Sequence, residues 1–363
     1  MAQPREQNPR AQKSPDKRLE WARQRLGSDE VGVAVIRAYH GFLRHRGLDS
    51  AAALAFFAAL SVFPLSLAVV SGVALLDNKT RAPSDILRVI SGIAPHSTVV
   101  AVRGPLAQLL SLPNAGYALA VGLGLGLWTL SGYVTAVGRA VNTAYDIQEG
   151  RRWVRARATM LLVAAVLLVA GAIGVVLLLG TPTVAADVAK AAGLPKSDAI
   201  AWDIAKWPLL AVLAIFAVAL LYYYSPNIRH LRIRYATSGA LLAIVAWIIA
   251  TTGFLVYVLN LSHYNRIYGW LGGAIILLLW LYISNLVLVA GAEMYAELVR
   301  VRELVAGMHA ERQIQLPTRS SRRLETLERW ESDDLRKARL LRLRSERRHS
   351  RESDAERHEQ NSG

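Results

Sequence analysis

The chain has 363 residues, 53% of them hydrophobic, yet 42 Lys and Arg against 27 Asp and Glu give it a formal net charge of +15. A mean hydropathy of +0.28 beside that charge excludes an ordinary soluble globular domain and fits a membrane bundle with basic ends. Cysteine is absent, which excludes disulfides, thiolate nucleophiles and cysteine metal sites.

The first 50 residues are charged and polar, with no apolar core followed by a small-residue cleavage site. The first membrane helix is therefore expected to act as the insertion signal. Residues 1–30 read as a largely disordered cytoplasmic segment. Val31–Arg46 then sets Val35, Ile36, Tyr39, Phe42 and Leu43 at helical spacing, with Arg37, Arg44 and Arg46 together on the other side. Either an interfacial helix lying on anionic headgroups or a cytoplasmic helix packed on the bundle fits that pattern.

Six apolar runs without a lysine or arginine follow: Ala51–Leu76, Ala115–Val137, Ala158–Gly180, Trp207–Tyr224, Ala236–Leu261 and Trp270–Leu298. A hydrocarbon core of roughly 30 Å takes about 20 apolar residues as helix, and lipid offers the backbone no other hydrogen-bond partners. The chain is thus an all-α integral membrane protein, a six-helix bundle over residues 31–300. Between the first two runs, Ile86, Leu87, Val89, Ile90 and Ile93, then Val99, Val102, Leu106, Leu109 and Leu110, suggest two short amphipathic helices broken near Pro95. These would cap the outer face or wall a cavity there. Residues 301–363 form a charged tail, read as largely disordered with transient helix around Leu324, Leu327 and Trp330.

Basic residues distribute unevenly among the connections. Thirty-four lie in the amino-terminal stretch, the segments 138–157 and 225–235 and the tail, against eight in the alternate loops. Retention of positive charge on the inner side predicts six spans of a bacterial cytoplasmic membrane with both termini cytoplasmic.

Within the spans, polar groups are the candidates for function. Glu293 and Glu297 share one face of the last run at i, i+4, and acids inside lipid usually face a bundle interior or water. Glu297, beside Arg300 and Arg302, is expected to snorkel to headgroup water. Glu293 lies deeper with no basic residue at i±3 or i±4, and Asn285 lies two turns earlier. Pro64 removes a backbone donor in mid-span, and the freed carbonyls would turn to Ser61, a neighbouring helix or water. Glu293, Asn285, Pro64 and Ser61 together suggest a polar path or gate. Gly122 and Gly126 have the small-xxx-small spacing of tight helix contacts, within a protomer or between protomers of a homo-oligomer. Tyr222, Tyr223 and Tyr224 read as an inner aromatic belt, with Trp207 and Trp270 marking the outer one. Beyond the belt, Arg229, Arg232 and Arg234 either hold a lipid phosphate or serve topology alone.

Enzyme signatures are not evident. The histidines His40, His45, His96, His230, His263, His309, His349 and His358 show no i, i+4 pair, and no GxSxG or GxxxxGK[ST] segment occurs. Neither a metal nor a cofactor is expected, and the mixed signs of the tail do not form a nucleic-acid stripe.

Several segments resemble the YihY/BrkB family of bacterial inner-membrane proteins. They are Ala51–Pro64 (AAALAFFAALSVFP), and Tyr222–Asn227 (YYYSPN) with Arg229–Arg234 and the pair Ser238-Gly239. The third set runs through Tyr264, Tyr268-Gly269 and Trp280-Leu281-Tyr282 to Gly291-Ala292-Glu293. The resemblance covers about residues 31 to 300 and implies six membrane helices with cytoplasmic termini. Family labels include ribonuclease BN, serum resistance and transport of envelope lipid or lipopolysaccharide. The sequence is read as a translocator of an amphiphilic envelope component, with membrane lipids, anionic phospholipid or envelope glycolipid, as partners. A scaffold for envelope assembly is the alternative, and a membrane-tethered ribonuclease the third.

Overall fold

The computed structural model describes residues 26–76, 114–179, 199–228, 233–260, 270–315 and 318–360. Eight helices occur among them: α1 Ser28–Arg44, α2 Gly47–Leu76, α3 Ala115–Ala144, α4 Trp153–Leu179, α5 Ala199–Tyr224, α6 Ile233–Asn260, α7 Trp270–Val305 and α8 Arg322–Gln360. Helices α2 to α7 are each long and apolar enough to cross a membrane, and no strand element lies among the described residues. The outer-loop helices expected around Pro95, and residues 1–25 of the stretch 1–30 expected to be disordered, fall outside the described residues, while Ser28–Glu30 of that stretch open α1 instead.

Helices α2 to α7 close into a ring in chain order, since each packs on the next and α7 returns to α2. Helix α3 also reaches α5 and α7 across the ring. Lipid is as apolar as leucine, so helix contact in the membrane depends on close approach at small residues. Gly122 and Gly126 supply it within the chain. A Cβ on Gly122 would lie 2.7 Å from Ala68 N and 3.0 Å from Pro64 O, and one on Gly126 would lie 2.7 Å from Leu65 Cδ2. The helix turn around Pro64 is thus the surface on which α3 rests. Ser61 Oγ donates to Phe57 O of its own helix at 2.9 Å.

One end of the bundle holds a large buried core and, among the described residues, a cluster of buried charge. Leu54, Val134, Val137, Val141, Tyr145, Leu221, Ile228, Val289, Tyr295, Val299 and Ile314 belong to a single buried cluster there. Helix α7, with 36 residues, is about 54 Å long. Its length exceeds a core of roughly 30 Å, so its last turns stand beyond the apolar layer. Helix α1 covers those turns, and we refer to this as the basic end. Glu30 accepts from the backbone N–H of Gly27 to start α1, the acid side of a capping box. Ala34, Ala38 and Gly41 are its buried residues, while Val35, Ile36, Tyr39 and Leu43 stay exposed. Small residues thus seat α1 on the bundle, as the packed-helix alternative expects, and its large apolar residues face outward.

The tail differs from its expected disorder. Residues 306–315 and 318–321 fold back on the basic end, where Ala310 and Ile314 are buried and Ile228 forms an isolated antiparallel bridge with Thr318. Helix α8 then runs for 39 residues. Its sequence is rich in Arg, Leu and Glu, good helix formers, and same-face pairs such as Arg336–Asp333 at 3.3 Å and Arg342–Glu346 at 3.5 Å join its turns. Charge composition pointed to disorder; helix propensity with paired charges accounts for the helix.

Candidate functional site

The last turns of α7 place Glu293, Glu297, Arg300 and Glu303 on its inner side, and each is at most 2% exposed. Buried charges of this kind require partners, because desolvation of each ion costs several kcal/mol. Glu303 accepts from Gln315 N at 2.9 Å, and a connected chain of six side chains serves the other three. Arg37 Nε of α1 lies 2.9 Å from Glu297 Oε2, and Glu297 Oε1 lies 3.0 Å from Arg300 Nε. Arg300 Nη2 donates to Asp146 Oδ2 at 3.0 Å. The second oxygen of Asp146 lies 3.2 Å from His45 Nε2, and His45 Nδ1 lies 2.9 Å from Glu293 Oε1.

Local backbone fixes the two middle members. His45 is the C-cap of α1, where its N–H reaches Gly41 O and its ring turns toward α7. Asp146 follows α3 with φ 54°, a left-handed conformation that aspartate tolerates better than most residues. Glu293 Oε2 is buried without a hydrogen-bond partner and faces Gly41, where a Cβ would lie only 3.0 Å away. Glycine at that position lets α1 approach the carboxylate.

A second network sits beside the first and secures the tail. Arg151, with a side chain only 4% exposed, pairs with Glu149 at 2.8 Å and donates to Ser225 O at 2.5 Å. Burial pushes the Glu149 carboxyl up, but hydrogen bonds from Arg151 and its charge outweigh this and hold it below the usual value. Asn142 Oδ1 accepts from Asn227 N at 2.8 Å, and Asn227 Nδ2 donates to Ser320 O at 2.9 Å. Arg319 donates to Ile228 O at 2.7 Å and to Tyr223 O at 2.5 Å, and lies over the rings of Tyr223 and Tyr224. Burial and the nearby Arg151 lower Arg319 from its ordinary value.

Four expectations need correction. Glu297 does not snorkel: its side chain is 3% exposed because Arg37 reaches it from α1 and Arg300 from one turn along α7. Glu293 is not without a basic neighbour, since His45 reaches it across the fold. The expected polar path is also differently assembled. Asn285 Oδ1 accepts from Tyr133 at 2.9 Å and its amide donates to Leu281 O at 2.8 Å, while Ser61 bonds within α2 and Pro64 packs on Gly122. Tyr222 leaves the expected belt altogether. It is 1% exposed, donates to Leu288 O at 2.6 Å and stacks on Tyr295. Arg229 and Arg232 lie outside the described residues, and so does the side chain of Arg234.

Sequence reasoning passed over His45, Asp146, Arg37 and Arg300. Arg300 carried a signal, because positions 293, 297 and 300 share one helical face. The others did not, since their partners are more than a hundred residues away. Among the described residues, no group of three or more His, Cys, Asp or Glu could hold a metal ion.

Comparison with known proteins agrees with this architecture. The family described as virulence factor BrkB matches residues 38–314, which ends at the buried Ile314 of the docked tail. The ribonuclease-like protein YfkH of Bacillus subtilis is 30% identical over 264 residues, covering 72% of this chain and 93% of the relative. A UPF0761 membrane protein of Alteromonas mediterranea is 39% identical over 101 residues, 28% of this chain and 34% of the relative. Another from Xanthomonas oryzae pv. oryzae is 30% identical over 190 residues, 49% of this chain and 43% of the relative. No solved structure matches the chain. With six membrane-length helices and a match running from α1 to the docked tail, the chain is a polytopic membrane protein belonging to the BrkB family.

Proposed function

We propose that this protein translocates an amphiphilic envelope component, a lipid or glycolipid, across the bacterial cytoplasmic membrane. The observation that carries the reading is a row of buried polar groups on α7. Asn285, 4% exposed and paired with Tyr133, lies about 12 Å along the helix from Glu293, 2% exposed and open at Oε2. Ser284 adds a hydroxyl at the same level, accepting from Trp247 Nε1 at 2.9 Å. Polar and ionisable groups are costly inside a bilayer and usually mark a pathway. Headgroup chemistry inside the ring and acyl chains in the surrounding lipid would suit an amphiphile.

The basic end faces the cytoplasm in this reading, because Arg37, Arg151, Arg300 and Arg319 there belong to the sequence segments that carry 34 of the 42 basic residues. Alkaline phosphatase fused after residue 90 or 190 should be active, and inactive after 148 or 230; the reverse pattern would invert the orientation.

Translocation is tested in proteoliposomes carrying a fluorescent phospholipid, whose transfer between leaflets is followed by an impermeant quencher. Transfer faster than in protein-free vesicles, together with lipid retained in native mass spectra, supports the reading. Equal rates and no retained lipid would refute it. A scaffolding role is favoured by a separate observation: α8 projects a long, largely exposed charged helix from the docked tail. That role predicts a co-purifying envelope protein lost on removal of α8.

A further inference from the structure

His45 stands between a carboxylate that meets water and one that does not. Asp146 has a side chain 35% exposed, Glu293 one only 3% exposed, and the imidazole between them is 11% exposed. Each ring nitrogen has its own carboxylate: Nε2 to Asp146 Oδ1 at 3.2 Å and Nδ1 to Glu293 Oε1 at 2.9 Å. This is the geometry in which an imidazole takes a proton on one nitrogen and releases one from the other. We propose that Asp146, His45 and Glu293 form a proton relay, with the Glu293 carboxyl as its proton-binding site.

The charges around Glu293 leave room for one proton. Facing it are His45 from α1, Glu297 from its own helix and Asp146 from the end of α3. Arg37 and Arg300 neutralise two of the three carboxylates through the contacts already described. The third carboxylate has no fixed cation in the connected chain, so one proton on either His45 or Glu293 completes the balance. Arg44 Nε also donates to His45 Nε2 at 3.4 Å, a long contact from an exposed side chain whose charge solvent screens.

The step balances without another reactant. A proton from water, gathered at Asp146, binds His45 Nε2 and gives the imidazolium. The Nδ1 proton then passes to Glu293 Oε1, leaving neutral imidazole with its hydrogen on Nε2, donating to Asp146. Glu293 becomes a neutral carboxylic acid, which its buried surroundings accommodate at less cost than the ion. In the reverse direction the same atoms return the proton to water. Glu293 Oε2, buried and without a partner, faces the backbone at Gly41. That oxygen therefore provides no competing cation to keep the carboxyl charged. The inference concerns the proton alone, and it stands or falls independently of lipid translocation.

Infrared difference spectroscopy of the full-length protein in nanodiscs tests it, with the carboxylic C=O band that Glu293→Gln removes as the signal. The band should fade as pH rises. His45→Gln should move its midpoint by about one pH unit or more. Asp146→Asn should slow protonation after a pH jump by about tenfold while the band persists. A band that never appears, or does not respond to pH, overturns the relay. So does a titration unchanged in both midpoint and rate by the two substitutions. If His45→Gln fails to accumulate, the wild-type titration and the Asp146→Asn pH jump decide between the same outcomes.

Discussion

His45 Nδ1 and Glu293 Oε1 lie 2.9 Å apart although 248 residues separate them in the chain. The contact ties the turn between α1 and α2 to the last helix of the ring. It also closes the buried chain of charge, because Asp146 on the other side of the imidazole is held by Arg300 of α7. The basic end is therefore a folded layer in its own right, covered by α1 and by residues 306–315 and 318–321.

Glu297 should matter for stability. It is buried between Arg37 and Arg300, and a substitution leaves Arg300, 1% exposed, short of a counter-charge. Loss of one partner from a buried pair costs about 3–5 kcal/mol. Glu297→Gln should lower the thermal transition of the purified protein in detergent by several degrees, and an unchanged transition would contradict the burial described.

Truncation should separate two parts of the tail. Ending the chain after residue 312 removes Ile314 and Arg319, and uncovers the carbonyls of Tyr223 and Ile228 that Arg319 serves. Each buried group left unsatisfied costs about 1–3 kcal/mol. Ending it after residue 325 keeps buried Leu324 and the Arg323 N to Gly150 O bond, removes only the exposed length of α8, and should leave the transition within about 0.5 kcal/mol of wild type. Equal behaviour of the two truncations would show that the docked segment contributes nothing.

Gly291→Ala should destabilise the α5–α7 contact. A Cβ there would lie 2.7 Å from Tyr222 Oη and 2.8 Å from Ala243 Cβ, and overpacking of this kind costs about 1–3 kcal/mol. Removing the hydroxyl with Tyr222→Phe should restore part of the loss in the double variant, as measured by thermal unfolding. Simple additivity of the two losses would argue against direct contact.

Docking of the tail should weaken in acid. The Glu149 carboxyl is held below its ordinary value by Arg151, so its contribution is present above the ordinary carboxylate range. It is lost as pH falls through the lowered folded value. Protease cleavage within 306–321 should rise over that acid window in wild type, and Glu149→Gln should flatten the response. The same rise in both proteins would assign it elsewhere.

Sequence periodicity made the six spans legible because lipid permits only long apolar helices, and the helices found overlap each expected run. Glu293 was visible for the same reason, as an acid on an apolar face. Its partner was not, because His45 sits in a charged stretch where an isolated imidazole ordinarily needs no partner. The docked tail was hidden differently: Ile314 and Arg319 are single residues in a polar segment, and only the bundle surface gives them meaning. Pro64 and Gly122 each carried a signal, yet their pairing depends on how α2 and α3 cross.

Glu293 is the centre of the functional account, and one substitution isolates it. Glu293→Gln preserves side-chain size and can still bond His45, but it cannot gain or lose a proton. The measurement is leaflet-to-leaflet transfer of fluorescent phospholipid in proteoliposomes containing equal amounts of wild type or Glu293→Gln, with thermal unfolding as the control for folding. The account predicts that the variant unfolds near the wild-type temperature and transfers lipid no faster than protein-free vesicles. Transfer at the full wild-type rate by a stably folded Glu293→Gln protein would contradict it.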